Sequence, residues 1–363
     1  MKLDFNIAPL ESWAPVSELP LLIAGPCSAE SEEQVMETAK LIEKDHRAMV
    51  YRAGLWKPRT RPGTFEGVGY KGLEWLRQVK EQTRLMTATE VAKGEHVKLA
   101  IAAGVDILWV GARTTVNPFS VQEIADALEG QDIPVLVKNP INPDLQLWIG
   151  ALERIHQAGI TKLGAIHRGF SPASDSIYRN DPVWKHPIEL QRLIPNLPII
   201  CDPSHIGGQT ELIEPVGQKA FDLQMAGLMI ETHCNPEVAL SDAKQQVTPA
   251  QLTAILDEII WRHANTADVE FTQSLESLRG NIDELDMKLI EVLATRMGIV
   301  DEIAELKKQS EVTILQVSRY HEMLEARLRE ADSRQINQDF IKGIFEVIHQ
   351  NSIKRQEAIM NAD

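Results

Sequence analysis

The strongest constraint on this chain is a rhythm of short apolar runs in its first two thirds. They read LLIAGPCS (21–28), AMVYRAG (48–54), LMTATE (85–90), ILWVGAR (107–113), PVLVKN (134–139), LGAIHRGF (163–170), PIICDPSH (198–205) and GLMIETHC (227–234). Helix-like segments such as SEEQVMETAKLIEKD and FSVQEIADALEG lie between most of them. A strand that reads as a continuous apolar run is buried on both faces, and strands alternating with helices form parallel pairs. Eight such units in roughly 250 residues fit a closed barrel better than an open doubly wound sheet. The predicted fold class is α/β, a (β/α)8 TIM barrel.

The rhythm stops abruptly. All 19 prolines lie at or before Pro249 and all seven tryptophans at or before Trp261, while the last hundred or so residues are Leu, Ile, Glu, Arg and Lys with almost no glycine. We place a boundary in the polar stretch from His263 to Asp268, after a helix ending near Trp261. This gives a barrel over residues 1–264 and an all-α three-helix domain over 265–363. One long helix is expected from Phe271 to about Gln309, with shorter ones near Ser318–Ala331 and Asn337–Met360. Three helices, the first very long, bury little as a monomer, so the tail is expected to form an intertwined dimer.

Composition excludes several classes. At 44% hydrophobic and 25% charged residues the chain is an ordinary globular sequence. No apolar run reaches the roughly 18 residues that span a bilayer, and the first residues lack a basic then apolar signal pattern. A cytoplasmic protein with no membrane partner is expected. Lys plus Arg number 37 against 52 Asp plus Glu, a net charge of -15, which argues against nucleic acid as a partner. Cys27, Cys201 and Cys234 are three, without an export signal, so reduced thiols are expected.

In a barrel of this kind the chemistry sits at the carboxyl ends of the strands. Strand one ends in Gly25-Pro26-Cys27-Ser28, strand seven in Asp202-Pro203-Ser204-His205 and strand eight in Glu231-Thr232-His233, with Asp242 in the loop beyond. Singly, Cys27 reads as a small buried hydrophobe, His205 as a loop histidine and Asp242 as a helix cap. Together, Cys27, His205, Glu231 and Asp242 make a mixed S, N and O donor set for a divalent metal ion, with Mn, Fe, Co and Zn as candidates. Cys201 and Cys234 read as packing residues, and His233 as a residue behind the ligands. Arg52, Lys57, Arg59, Arg113, Lys138 and Arg168 end strands or open the loops after them, and cations at one rim of an acidic protein need anions to bind. No GxGxxG segment directly follows an apolar run and no Walker A segment is present, so a nucleotide is not indicated.

At this point the sequence resembles the metal-dependent 3-deoxy-D-arabino-heptulosonate 7-phosphate (DAHP) synthases, from about Leu21 to Gln246. The resemblance rests on GPCS (25–28), YRAGLWKPRT (51–60), VGARTT (110–115), VKNP (137–140), HRGF (167–170), CDPSH (201–205) and ETHCNP (231–236). It implies condensation of phosphoenolpyruvate with erythrose 4-phosphate, the first step of the shikimate pathway. It makes Cys27, His205, Glu231 and Asp242 the metal ligands, with Mn first among the candidate ions. Arg52, Lys57, Arg113, Lys138 and Arg168 would hold phosphoenolpyruvate, with Lys57 catalytic, while Arg59 and Thr60 would hold the sugar phosphate and Asp202 would lie near the aldehyde. It also implies too short an N-terminus for the extra regulatory domain of some members. The synthase of the eight-carbon sugar acid, which uses arabinose 5-phosphate, is a poorer match because it carries a different segment in place of KPRT.

The tail has its own signal. At 100° per residue, Leu278, Ile282, Leu285, Leu289, Leu293, Val300 and Ile303 lie within about 60° of Arg296, and Lys307 lies within about 20° of it. Both cations therefore sit on the apolar face, where they need partners that a coiled-coil seam does not supply. LRGNIDELDMKLIEVLATRM (278–297), QVSRYHEML (316–324) and FEVIHQNSIKRQ (345–356) resemble the all-helical chorismate mutases. The resemblance assigns Arg279, Arg296, Lys307, Arg319, Ser352 and Gln356 to chorismate, with Lys307 and Gln356 donating to the ether oxygen. Gln316 and Tyr320 stand where mutases often carry acidic residues. Arg279 lies about 25 Å along the helix from Arg296 and points about 100° away, so a homodimer with shared sites is expected. The competing reading is a synthase whose tail is only a regulatory or dimerising module that binds chorismate or prephenate.

Overall fold

The computed structural model describes residues 4–16, 20–57, 63–173, 175–262 and 266–362. Contacts divide the chain into two compact units, Met1–Ala264 and Asn265–Asp363.

The first unit is a closed barrel of eight parallel strands in chain order. These are β1 (Leu21–Gly25), β2 (Val50–Arg52), β3 (Met86–Val91), β4 (Ile107–Val110), β5 (Val135–Lys138), β6 (Leu163–His167), β7 (Ile199–Cys201) and β8 (Gly227–Glu231). Closure is made by β1 and β8, paired from Leu21–Gly227 to Gly25–Glu231. Each strand falls within one of the eight apolar runs, except that β3 continues one residue past its run to Val91. Helices α1 (Glu32–Ile42), α2 (Lys71–Gln82), α3 (Gly94–Ala102), α4 (Ala112–Thr115), α5 (Pro118–Leu128), α6 (Leu145–Gln157), α7 (Lys185–Leu193), α8 (Pro203–Gly207), α9 (Ile213–Asp222) and α10 (Pro249–Glu258) connect the strands or follow the last.

Alternation along each strand sorts the side chains into two cores. Leu21, Ile23, Val50, Ala88, Ile107, Trp109, Leu136, Ile166, Ile200 and Met229 fill the barrel interior, joined by Trp13 and Ala14 of the N-terminal segment. Their neighbours along the strands, Leu22, Ala24, Tyr51, Leu108, Val135 and Ala165 among them, pack in a second cluster with the helices. The helix starts are written locally. Ser31, Asn117, Asp144 and Thr248 each accept a hydrogen bond from a first-turn N–H, and Thr248 with Gln251 completes a capping box. One boundary differs from the sequence reading. Helix α10 stops at Glu258 because Ile259 takes extended backbone, ψ 126°, and Trp261 packs instead against the Phe221 ring at 5.0 Å.

The second unit consists of α11 (Val269–Gln309), α12 (Val317–Ser333) and α13 (Gln338–Met360). The C-terminal half of α11 packs on α13, with Val300 and Ala304 buried. The stripe expected to be buried is covered only in part there, since Val300 is buried and Leu293 half-buried while Ile303 is 40% exposed. Leu278, Ile282, Leu285 and Leu289 are bare, Leu285 at 62% exposure, because α12 and α13 are too short to reach the first half of a 41-residue helix.

Candidate active sites

The barrel site is assembled by chain geometry at the carboxyl ends of the strands. At the end of β1, Gly25 has φ +147°, and a Cβ there would lie 2.1 Å from the Arg52 carbonyl oxygen. Only glycine lets β1 and β2 deliver Cys27 and Arg52 side by side. After β2, Gly54 leaves room for the Lys57 ammonium, which a Cβ would meet at 2.6 Å. Lys57 Nζ then donates to Cys27 Sγ at 3.3 Å. Asp202, directly after β7, caps the short helix α8 by accepting from the His205 N–H at 3.0 Å, which aims the His205 ring inward.

Cys27 Sγ and one oxygen each of Glu231 and Asp242 lie within 4.8 Å of one another. His205 Nε2 is 3.8 Å from Glu231 Oε1, so the fourth candidate borders the same point. Its Nδ1 is buried and lies 2.8 Å from Asp202 Oδ2, but off the line of a good hydrogen bond. Asp242 is held in left-handed backbone, φ +47°, a costly geometry for a non-glycine residue outside a constrained site. The loop around it is tied to β1, since Ser241 Oγ and Ser28 Oγ are 2.7 Å apart and the Cys27 N–H donates to Gln246 Oε1 at 2.9 Å.

The electrostatics suit a divalent ion. Burial, and then the charge of Glu231, push the Cys27 thiol up to about 12. Burial would also raise Glu231 and Asp242, yet His205 with Arg52 holds Glu231 low, and His205 with Arg179 holds Asp242 low. Burial, with the Lys138 charge adding to it, keeps the His205 imidazole below its ordinary value despite Asp202. An imidazole that burial makes easier to deprotonate, two ionised carboxylates and a thiol that a metal can deprotonate form a fitting donor set.

The cations surround this point. Arg52 is 1% exposed, donates to Glu231 Oε1 at 3.1 Å and to the Cys27 carbonyl at 2.9 Å, and lies 4.9 Å from the Trp109 ring centroid. Its buried Nε has no hydrogen-bond partner among the described residues. Lys138 Nζ donates to Asp202 Oδ2 at 2.8 Å. Burial would raise Asp202, but His205 and Lys138 hold it well below the usual carboxylate range. Arg168 donates to Asn180 Oδ1 at 2.7 Å, and burial, with Arg179 and Arg113 nearby, draws its guanidinium down to about 10. It stays charged at neutral pH, in a crowd of positive groups that an anion would relieve. Arg113, on α4, is exposed. Arg59 and Thr60 lie outside the described residues.

Sequence reasoning missed several supports. Arg179 donates to Asp242 Oδ1 at 3.1 Å and to Gln245 Oε1, and Gln245 Nε2 donates to Glu231 Oε2 at 2.7 Å. Glu30 Oε1 accepts from the Leu240 N–H at 2.8 Å, while its Oε2 is 3.7 Å from the buried Nε2 of His233, which has no hydrogen-bond partner among the described residues. The residues of these supports sit in loops, where no periodicity marks them. Cys201 is buried and Cys234 half-buried.

In the helical unit, Arg296 donates to Ser352 Oγ at 2.8 Å, and Lys307 Nζ to Gln356 Oε1 at 3.1 Å and to the Ile314 carbonyl at 2.5 Å. These four form one cluster between α11 and α13, with Ser352 and Gln356 buried. Arg279 and Arg319 do not join it. Arg279 is exposed on the bare half of α11, and the Arg319 side chain is 74% exposed beside Glu322 at 3.8 Å.

Residues 17–267 match the family model described as DAHP synthetase I family, and residues 278–357 match chorismate mutase type II. A phospho-2-dehydro-3-deoxyheptonate aldolase of Thermotoga maritima is 35% identical over 226 residues, which is 62% of this chain and 64% of that protein. The chain thus spans just under two thirds of that relative's length. A 2-dehydro-3-deoxyphosphooctonate aldolase of Desulfotalea psychrophila is 27% identical over 258 residues, covering 66% of this chain and 88% of that protein. The crystal structure of a Thermotoga maritima DAHP synthase superposes with a TM-score of 0.59 at 30% identity, covering 66% of this chain and 67% of that one.

Proposed function

From the premise that this chain belongs to the DAHP synthetase I family over its barrel and carries a chorismate mutase type II segment behind it, we propose a bifunctional enzyme. Residues 1–264 condense phosphoenolpyruvate with erythrose 4-phosphate to DAHP and phosphate, and residues 265–363 convert chorismate to prephenate. The observation that carries the barrel reading is the cluster of donor atoms of Cys27, Glu231 and Asp242 beside buried Arg52 and Lys138.

Cys27, His205, Glu231 and Asp242 would hold the metal, with Mn as the first choice and Fe, Co or Zn as ions that accept the same donors. When bound, such an ion supplies Lewis-acid polarisation of the sugar aldehyde oxygen. Arg52, Lys57, Arg113, Lys138 and Arg168 hold the phosphate and carboxylate of phosphoenolpyruvate, and the unpaired Nε of Arg52 gives them a donor to spare. Held this way, the vinyl carbon meets the aldehyde carbon and a C–C bond forms. Water then adds to the cationic C2 and phosphate leaves. Asp202, ionised beside Lys138, keeps that ammonium aimed into the site and faces His205 Nδ1, which leaves Nε2 as the ligand atom. Arg59 and Thr60 would take the sugar phosphate.

In the tail, Arg296 takes a carboxylate, while Lys307 and Gln356 donate to the ether oxygen as its bond breaks. The rearrangement needs no nucleophile, only a fixed conformation and complementary charge. The bare apolar face of α11 and the distance of Arg279 from this cluster support a homodimer in which a partner helix brings Arg279 across. We propose a cytoplasmic enzyme whose tail ligands, chorismate or prephenate, also regulate the barrel.

The test is consumption of phosphoenolpyruvate by the full-length chain with each of two sugars, beside chorismate turnover. Activity with erythrose 4-phosphate and mutase turnover are expected. Activity only with arabinose 5-phosphate would overturn the sugar assignment, and a tail that binds prephenate without turnover would reduce it to a regulatory module.

A further inference from the structure

One dipeptide touches both halves of the barrel mouth. Arg179 and Asn180 lie in the loop between β6 and α7, and Asn180 is 8% exposed. Its Oδ1 accepts from Arg168 Nη1 at 2.7 Å, and its Nδ2 donates to the His205 carbonyl at 2.7 Å. A guanidinium can only donate and a carbonyl can only accept, so this orientation of the amide is the one that satisfies both. Arg179, one residue earlier, donates to Asp242 Oδ1 at 3.1 Å and to Gln245 Oε1, and Gln245 in turn holds Glu231.

The dipeptide is itself fixed to the short helix α8, which carries His205. A helix end leaves carbonyls unpaired. Here the Asn180 N–H donates to the Ile206 carbonyl at 3.1 Å and the Arg179 N–H to the Gly207 carbonyl at 3.3 Å. Two glycines in left-handed backbone clear its path. A Cβ on Gly169, φ +76°, would lie 2.6 Å from the Asn180 carbonyl oxygen, and one on Gly208, φ +72°, would strike the Arg179 side chain. On one side of the dipeptide stand His205, Asp242 and, through Gln245, Glu231. On the other stands Arg168. Whatever fixes the first three also fixes the dipeptide, and with it the guanidinium.

Resting on the barrel reading above, we propose that Asn180 is a positioning residue that couples the metal half of the site to its anion half. Metal held by His205, Glu231 and Asp242 then raises the affinity of the Arg168 side for phosphoenolpyruvate, and phosphoenolpyruvate raises the affinity for metal. Coupling between two ligands is reciprocal, so both effects have one size. Asn180 carries no charge, so direct attraction between cation and anion is the same in Asn180→Ala. A fall in coupling there reports the hydrogen-bonded route alone.

The test uses the full-length, chelator-stripped chain without sugar, so nothing turns over. Calorimetry gives the Kd of phosphoenolpyruvate without and with saturating Mn²⁺, and the Kd of Mn²⁺ without and with saturating phosphoenolpyruvate, each corrected by the protein-free titration. In the wild type both ratios should be about tenfold, within the usual range for coupled sites. Asn180→Ala should cut the ratio at least threefold, beyond any loss in either affinity alone. Asn180→Asp keeps an acceptor for Arg168 but not the donor to His205, and its charge enters both titrations of a ratio and cancels. It should lose coupling to the same extent. Melting in chelator shows whether each variant is folded, and Asn180→Asp carries the comparison if Asn180→Ala is not. A wild-type ratio of one refutes the coupling. An unchanged ratio in a folded variant, whatever its affinities, refutes the role of Asn180. A wild type that binds neither Mn²⁺ nor phosphoenolpyruvate would defeat the barrel reading itself, and this role with it.

Discussion

Replacing Arg52 by methionine removes a buried charge from the centre of the barrel mouth while keeping most of the side chain's length. Arg52 and Glu231 are both essentially out of water and 3.1 Å apart, so the substitution strands a buried carboxylate. Deleting one partner of such a pair costs about 3–5 kcal/mol. Gln245 still donates to the other oxygen of Glu231 at 2.7 Å, which points to the lower end, about 3 kcal/mol. The sign of the metal effect follows from the same geometry. Arg52 repels a cation held by Glu231 and the neighbouring Cys27, so its removal should tighten metal binding at least tenfold, which returns about 1.4 kcal/mol when metal saturates both proteins. The assay is urea unfolding in chelator and in excess Mn²⁺, followed by fluorescence of the tryptophans, all of which lie in the barrel unit. A large loss of stability in chelator and a smaller one in Mn²⁺ are expected. An equal loss in both conditions would refute the placement of Arg52 beside a metal, and no loss in either would refute the buried pair.

Three further outcomes are expected. His167 is buried among Trp148, Phe170 and Trp184, and burial, with the Arg168 charge second, lowers its pKa to about 3. The unfolded chain binds a proton there below about 6.5 and the folded chain does not, so stability falls with pH from about 6.5 to 3, by about 2 kcal/mol at pH 5. Urea midpoints of His167→Phe should lose this part of the slope, and identical slopes for the two proteins would contradict it. Glu30→Ala frees the β8 loop at Leu240 and His233, and should weaken metal binding at least tenfold with little change in melting, read by Co²⁺ titration of the thiolate absorption; wild-type affinity would clear Glu30 of any part in placing Asp242. Arg279→Ala should abolish mutase turnover and leave the synthase untouched, and a fully active variant would rule out a site shared across a dimer.

The barrel was legible because parallel strands covered on both faces become unbroken apolar runs, as in PVLVKN and PIICDPSH. The metal candidates were legible for the same reason, since Cys27, His205 and Glu231 sit just where such runs end. What supports them was not. Arg179, Gln245 and Glu30 act across long sequence separations from loops, and the left-handed backbone of Asp242 has no mark in residue type. Periodicity named the apolar face of α11 but could not say how much of it the chain's own helices would cover, so Leu278 to Leu289 are bare where burial was expected.

The central claim is that the barrel mouth binds a divalent metal and uses it, with its ring of cations, to join phosphoenolpyruvate to a four-carbon sugar. The measurement that tests this most directly is phosphoenolpyruvate consumption by the chelator-stripped, full-length chain with erythrose 4-phosphate, before and after adding one equivalent of Mn²⁺. The account predicts no turnover before addition and turnover after it, lost again in Cys27→Ala. Equal turnover with and without metal, or none in either state, would contradict it.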